Sequence, residues 1–157
     1  MAGVTEVSET AVLAVPVERV WEVISATHRY GEWVVGVLEV TDHHETAQIG
    51  RTYAERNVTV GPLRTRSVWT VAEIEPMRRR VDTGTGFDPM HDMTNTFTFL
   101  ECTLADGSRG TVMTYAVRYR PGLGPVGGLI DRLQRGGLRR NFQASMRRLE
   151  DLIVSEG

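Results

Sequence analysis

The stretch PVGGLIDRLQRGGLRRNFQASMRRLEDLIV (Pro125–Val154) is the only part of the chain long enough for a major helix, and its reading decides the fold. From Leu138 the apolar residues recur as Leu138, Phe142, Met146, Leu149, Leu152 and Ile153. Steps of three and four put them on one helical face. Arg139, Arg140, Arg147, Arg148, Glu150 and Asp151 take most of the remaining positions. Val126, Leu129, Ile130 and Leu133 form a second apolar stripe that points away from the first by well over a right angle. Gly136-Gly137 stands between the two. Glycine weakens a helix interior by ~1 kcal/mol relative to alanine, so a bend or break is predicted there. The segment after the glycines is expected to grip a sheet. The segment before them is expected to face elsewhere, as a flap over a cavity mouth or a surface for a partner.

Upstream, the chain alternates between strand patterns and turns. Residues 4–15 read as a strand that Pro16 ends. Val17, Val20, Trp21 and Ile24 give a helix to about Ala26, and residues 27–33 a second short helix or turn. Strands are predicted over 34–41, 50–60, 63–74, 79–85, 93–104 and 109–120. The connections are the polar turn Asp42 to Glu45, Gly61-Pro62, Glu75-Pro76, a loop at Phe87 to Met90, and Ala105-Asp106-Gly107. Strands joined by short turns argue for an antiparallel sheet with one helix-covered face. A curved sheet wrapped on one long helix leaves space between them.

With 157 residues the chain is expected to form a single domain, residues 1–157, with a sizeable core. Its net charge of −2 gives no bulk attraction to nucleic acid. The arginine clusters Arg78 to Arg80, Arg139-Arg140 and Arg147-Arg148 read as solvated faces. One cysteine, Cys102, cannot form an internal disulfide, which fits a reducing cytoplasm. No apolar run approaches a membrane span, and the N-terminus lacks the marks of a signal peptide. A cytoplasmic location without membrane insertion is therefore expected, with a monomer or a weak homodimer equally compatible.

Several short stretches carry a resemblance. They are Ala14-Val15-Pro16 with Val20-Trp21, Tyr30-Gly31-Glu32-Trp33, Gly50 to Glu55, Glu73 to Arg78, Gly110 to Met113, and Arg120-Pro121-Gly122 before the last helix. In this order and spacing they resemble the polyketide cyclase/dehydrase branch of the START-like (SRPBCC, Bet v 1-like helix-grip) superfamily, over nearly the whole chain. The resemblance implies an α+β helix-grip fold. A curved antiparallel sheet of about seven strands would wrap a long C-terminal helix, with two short helices between strands 1 and 2. Relatives include cyclases, aromatases, and lipid and hormone binders, so it implies no single chemistry.

Side chains two apart on a strand share a face. Tyr53, Glu55 and Asn57 therefore go together, as do Thr65, Ser67, Trp69 and Val71, and Thr111, Met113, Tyr115, Val117 and Tyr119. Pointed inward, these rows would line a cavity of mixed aromatic and polar character, the usual make-up of a small-molecule site. The opposite assignment, with Thr52, Ala54 and Val58 inward, is also open. In the first assignment Glu55 sits between aromatics, where desolvation raises a carboxyl pKa and suits it to acid–base work. The same glutamate on the rim would instead pair with Arg51, Arg64 or Arg66. His91, at the end of the Pro89 loop, is a candidate proton shuttle, and Tyr115 a candidate hydroxyl for polarising a carbonyl. Tyr53, Asn57, Ser67, Trp69, Asn95, Phe97 and Met113 are candidate ligand contacts from the sheet side, Phe142 and Met146 from the helix, and Trp33, after the break at Gly31, from the cavity mouth. Each has a plain alternative as core or strand-end residue. Trp21 and Cys102 read as structural.

No cofactor is expected. Asp42, His43 and His44 invite a metal reading, but neighbours in extended chain point opposite ways and no third histidine stands at ligand spacing. No phosphate loop or nucleophile elbow is present. The expected partner is a small hydrophobic or aromatic ligand held between sheet and C-terminal helix, with no nucleic acid. One expectation is a cyclase- or dehydrase-like enzyme using general acid–base chemistry. The others are a carrier without turnover and a regulatory or toxin-like interaction module. The resemblance also implies polar groups inside the pocket, often an arginine. Arg64 and Arg66 fall on the face opposite Trp69, which departs from that pattern.

Overall fold

A computed structural model describes residues 3–43, 46–60 and 63–157. Strand β1 (Thr5–Leu13) is followed by α1 (Val17–Ser25), one 3₁₀ turn (Thr27–Arg29) and the single-turn helix α2 (Tyr30–Trp33). Six strands follow: β2 (Val37–Thr41), β3 (Thr52–Val60), β4 (Leu63–Glu75), β5 (Arg79–Thr85), β6 (His91–Thr103) and β7 (Arg109–Arg120). The chain closes with α3 (Gly124–Glu156). The strands form one antiparallel sheet in the order β1-β7-β6-β5-β4-β3-β2. It curls around α3 as the helix-grip pattern requires. The expected turn residues His44, Glu45, Gly61 and Pro62 lie outside the described residues.

The sheet curls because its inner face has a core to wrap. Val7 and Leu13 of β1, Phe97 and Phe99 of β6, and Met113, Tyr115 and Tyr119 of β7 are buried. They meet Phe142, Met146, Leu149 and Ile153 of α3, the stripe expected to grip the sheet. Val17, Val20, Val23 and Ile24 of α1 complete that core at helical spacing. Polar ties fix the helix lengthwise. Glu150 accepts from the Ala14 amide (2.7 Å), and the Ser145 hydroxyl accepts from the Val35 amide (2.9 Å).

The predicted break at Gly136-Gly137 is not there: α3 runs as one 33-residue helix. The penalty of two interior glycines is small beside what anchors the helix on both sides of them. Beyond the glycines lies the core stripe. Before them, buried Asp131 accepts from Thr5 Oγ1 (2.8 Å), from the Tyr119 hydroxyl, and from Arg135 Nε and Nη2 (3.0 and 2.8 Å). Gly127 lies so close to Gly122 that a Cβ would stand 1.8 Å from its carbonyl oxygen. The outward direction of the stripe before the glycines does hold: Val126, Leu129, Ile130 and Leu133 are all exposed, Leu133 by 78%. Among the described residues no helix is long and apolar enough to cross a membrane.

Candidate functional site

The antiparallel register carries one row of side chains across four strands. Tyr53 stands opposite Trp69, Trp69 opposite Gly84, and Gly84 opposite Met93. Glycine is required in that row, since a Cβ at position 84 would lie 2.7 Å from the Trp69 indole. The neighbouring row sets Phe97 opposite Tyr115. Tyr115 stacks on Phe142 of α3, with ring centroids 4.1 Å apart and planes 9° from parallel. From the other side, α2 inserts Tyr30 edge-on against Tyr53 and Phe97. These walls enclose a cavity of about 180 Å³ between sheet and helix, completed by Asn57, Asn95, Gln134, Leu138 and Asn141.

One carboxyl group lines it. Glu55 is buried on β3, and its carboxylate accepts from the Trp69 indole nitrogen at 2.9 Å. The Ser67 hydroxyl also bonds to it, and Ser67 in turn accepts from Asn57 Nδ2 at 2.7 Å. Burial disfavours the charged form more strongly than these donors and the nearby Arg80 favour it. The Asp82 charge adds to the effect, and the Glu55 pKa is lifted to about 7. Burial likewise pushes the hydroxyls of Tyr30, Tyr53 and Tyr115 well above the usual tyrosine range. They remain neutral hydrogen-bond donors wherever Glu55 titrates.

Behind Tyr53 lies a buried ion pair that the sequence reading missed. Arg80 and Asp82 are each 1% exposed. Arg80 Nε and Nη2 donate to Asp82 at 3.1 and 2.8 Å, and Nη1 donates to the Ile24 carbonyl at 2.6 Å. The Tyr53 hydroxyl donates to Asp82 at 2.5 Å. The guanidinium also lies against the Tyr30 and Tyr53 rings, 5.4 and 5.8 Å from their centroids. Both charges are thus fully engaged, which a buried pair needs in order to be tolerated. Arg80 therefore does not share a solvated face with Arg78 and Arg79, contrary to expectation. Alternation along β5 puts it on the inner side, with Asp82 and Gly84. That alternation was the available signal.

Of the proposed contacts, the structure brings Tyr53, Glu55, Asn57, Trp69, Asn95, Phe97, Tyr115 and Phe142 to the cavity wall. Ser67 lies one layer behind, bonded to Asn57 and Glu55. Met113 and Met146 are fully buried in the core below the cavity rather than on its wall. Trp33 is not at the mouth: it is buried against Tyr30 and Phe97 because α2 turns it inward. His91 is exposed at the end of β6, with only a long 3.5 Å contact to the Pro89 carbonyl. Strand β6 begins at His91 itself, which leaves no loop to swing it inward. Tyr30 joins the wall without a signal of its own in the sequence, since a four-residue helix shows no periodicity.

A larger cleft of about 490 Å³ lies at the N-terminal end of α3, near Pro121, Asp131 and Arg132. Its one buried ionisable group, Asp131, is already bonded to Thr5, Tyr119 and Arg135. Of these two, it is the smaller, aromatic-rich cavity whose buried carboxyl, Glu55, is held above its usual pKa; that of Asp131 is held below.

Residues 4–154 match the sequence model of a family described as polyketide cyclase / dehydrase and lipid transport. The chain belongs to this family. No curated protein matches the sequence. Among solved structures, a protein from Thermus thermophilus is similar with a TM-score of 0.74 and 18% identity, over 98% of this chain and 99% of its own. One from Chromobacterium violaceum has a TM-score of 0.68 and 18% identity, over 94% of this chain and 96% of its own. One from Mycobacterium smegmatis has a TM-score of 0.67 and 22% identity, over 97% of this chain and 92% of its own. At these identities the likeness is one of fold. The polyketide cyclase/dehydrase resemblance implied polar groups inside the pocket, often an arginine. Among the described residues the buried arginine is Arg80, which is bonded to Asp82 and is not on the cavity wall.

Proposed function

We propose that this protein binds a small, flat, largely apolar molecule in the cavity between sheet and α3, and that Glu55 exchanges a proton with it. The observation that carries this reading is the buried Glu55 carboxyl on the wall of an aromatic-rich cavity, where burial raises its pKa to about 7. A general acid or base works best when its pKa lies near the operating pH. In cyclase- or dehydrase-like chemistry, Glu55 would take a proton from carbon or return one to a leaving oxygen, with neutral phenols donating to the oxygen that gains charge. The volume limits the guest. An apolar cavity of about 150 Å³ holds benzene, so about 180 Å³ accepts one ring with a small fused ring or substituents.

A carrier needs the same aromatic walls but not the raised carboxyl. Native mass spectrometry of freshly purified protein tests binding through a co-purifying small molecule. Carbon-13 NMR of labelled glutamate tests the acid–base role. A Glu55 that titrates near the ordinary glutamate value would leave a carrier as the better reading.

A further inference from the structure

Among the described residues, three buried side-chain polar atoms have no hydrogen-bond partner: the Tyr30 hydroxyl, Trp33 Nε1 and Thr65 Oγ1. Only Tyr30 belongs to the cavity that holds Glu55. Its ring is fixed by the edge-on contacts with Trp33, Tyr53 and Phe97 and by the Arg80 guanidinium over its face. Tyr53, beside it, gives its hydroxyl to Asp82. A buried hydroxyl without a partner is costly, and native proteins leave few of them.

We infer that Tyr30 is the specificity-determining hydroxyl of the cavity and that the ligand is an oxygenated ring compound, a cyclic ketone or a phenol, whose oxygen accepts from it. The inference rests on the binding reading above and narrows it. Burial keeps the Tyr30 hydroxyl protonated, so its O–H is available to donate to an acceptor oxygen on the ligand. Arg80 does not compete for that acceptor, because its nitrogens are spent on Asp82 and Ile24. A ligand carboxylate is disfavoured, because the Arg80 charge is already matched by Asp82 and Glu55 adds negative charge to the wall once it ionises. A neutral carbonyl or phenol oxygen meets both conditions. Tyr53, Trp69, Phe97 and Tyr115 on the cavity wall are left to pack against the rest of the ring.

The test compares two probes with the same fused-ring skeleton, 1-indanone and indane. Only the first carries an acceptor oxygen. Isothermal titration with the wild-type chain should show 1-indanone bound about tenfold more tightly than indane. In Tyr30→Phe the preference should vanish while indane affinity stays the same. The apo variant should also melt at or above the wild-type temperature, because an unpaired buried hydroxyl has been removed. A merely structural tyrosine would show the reverse: a lower melting temperature and no change in the probe ratio. Equal affinities in the wild type would overturn the assignment of Tyr30 and leave ligand binding standing. No binding of either probe would overturn both.

Discussion

Replacing Glu55 by Gln should make the protein less sensitive to alkali, by an amount that the site geometry sets. Glutamine has the shape of the protonated carboxyl, and its carbonyl oxygen can still accept from the Trp69 indole. The folded-state pKa of Glu55 is raised from the ordinary 4.5 to about 7. The sign follows from proton linkage: the folded state holds the proton more tightly, so wild-type stability is fully present below pH 4.5 and falls as pH rises toward 7. The gap between those values, at 1.36 kcal/mol per pH unit, comes to about 3 kcal/mol. Because Glu55 is buried, solvent screening takes little from this figure. Urea unfolding followed by circular dichroism at pH 4, 5, 6, 7 and 8 measures it. The stability of Glu55→Gln relative to wild type should rise by about 3 kcal/mol across the series, with most of the change between pH 5 and 7. A difference that stays constant over that range would show that Glu55 ionises as it does in the unfolded chain, and the acid–base reading would fall with it.

Three further outcomes follow from neighbouring contacts. Trp69→Phe removes the hydrogen bond that favours ionised Glu55, so its pKa, read by carbon-13 NMR, should move above the wild-type value of about 7. Asp82→Asn leaves Arg80 charged in a buried place and should cost about 3 kcal/mol or more by urea unfolding. A loss below about 1 kcal/mol would mean that water reaches the pair. Gly136→Ala and Gly137→Ala should each raise stability by up to about 1 kcal/mol. A Cβ at either place meets only the far end of the Arg140 side chain, at 3.6 and 3.8 Å. Destabilisation would show that the glycines answer a strain in α3.

The fold was legible because its strongest signals are periodic. The Leu138–Ile153 stripe and the alternations on β3, β4 and β7 each repeat often enough to define a face, and those faces are the buried ones. The cavity wall was legible where it lies on those strands, which is how Tyr53, Glu55, Trp69 and Tyr115 came to be named together. It was not legible on β5, where an arginine run hid an inward Arg80. It was also not legible on α2, too short to show a period, so Tyr30 was read only as part of a short helix or turn. The expected break in α3 failed for another reason. Helix propensity is local, whereas the hold on Asp131 comes from Thr5 and Tyr119, residues of two different strands. His91 shows the same limit, since its distance from the cavity depends on where β6 begins.

Gly84 gives the cavity a control point that no catalogue of functional groups would include. It donates nothing and accepts nothing from its side chain, yet the indole of Trp69 occupies the space a methyl group would need. That indole in turn holds the Glu55 carboxylate. Adding one carbon at position 84 would therefore act on a proton equilibrium two strands away, by shifting a donor rather than by changing any charge. The acidity of the pocket is set partly by an omission in the chain. Filling this position would require another place for the Trp69 indole, and the Glu55 equilibrium would shift with it.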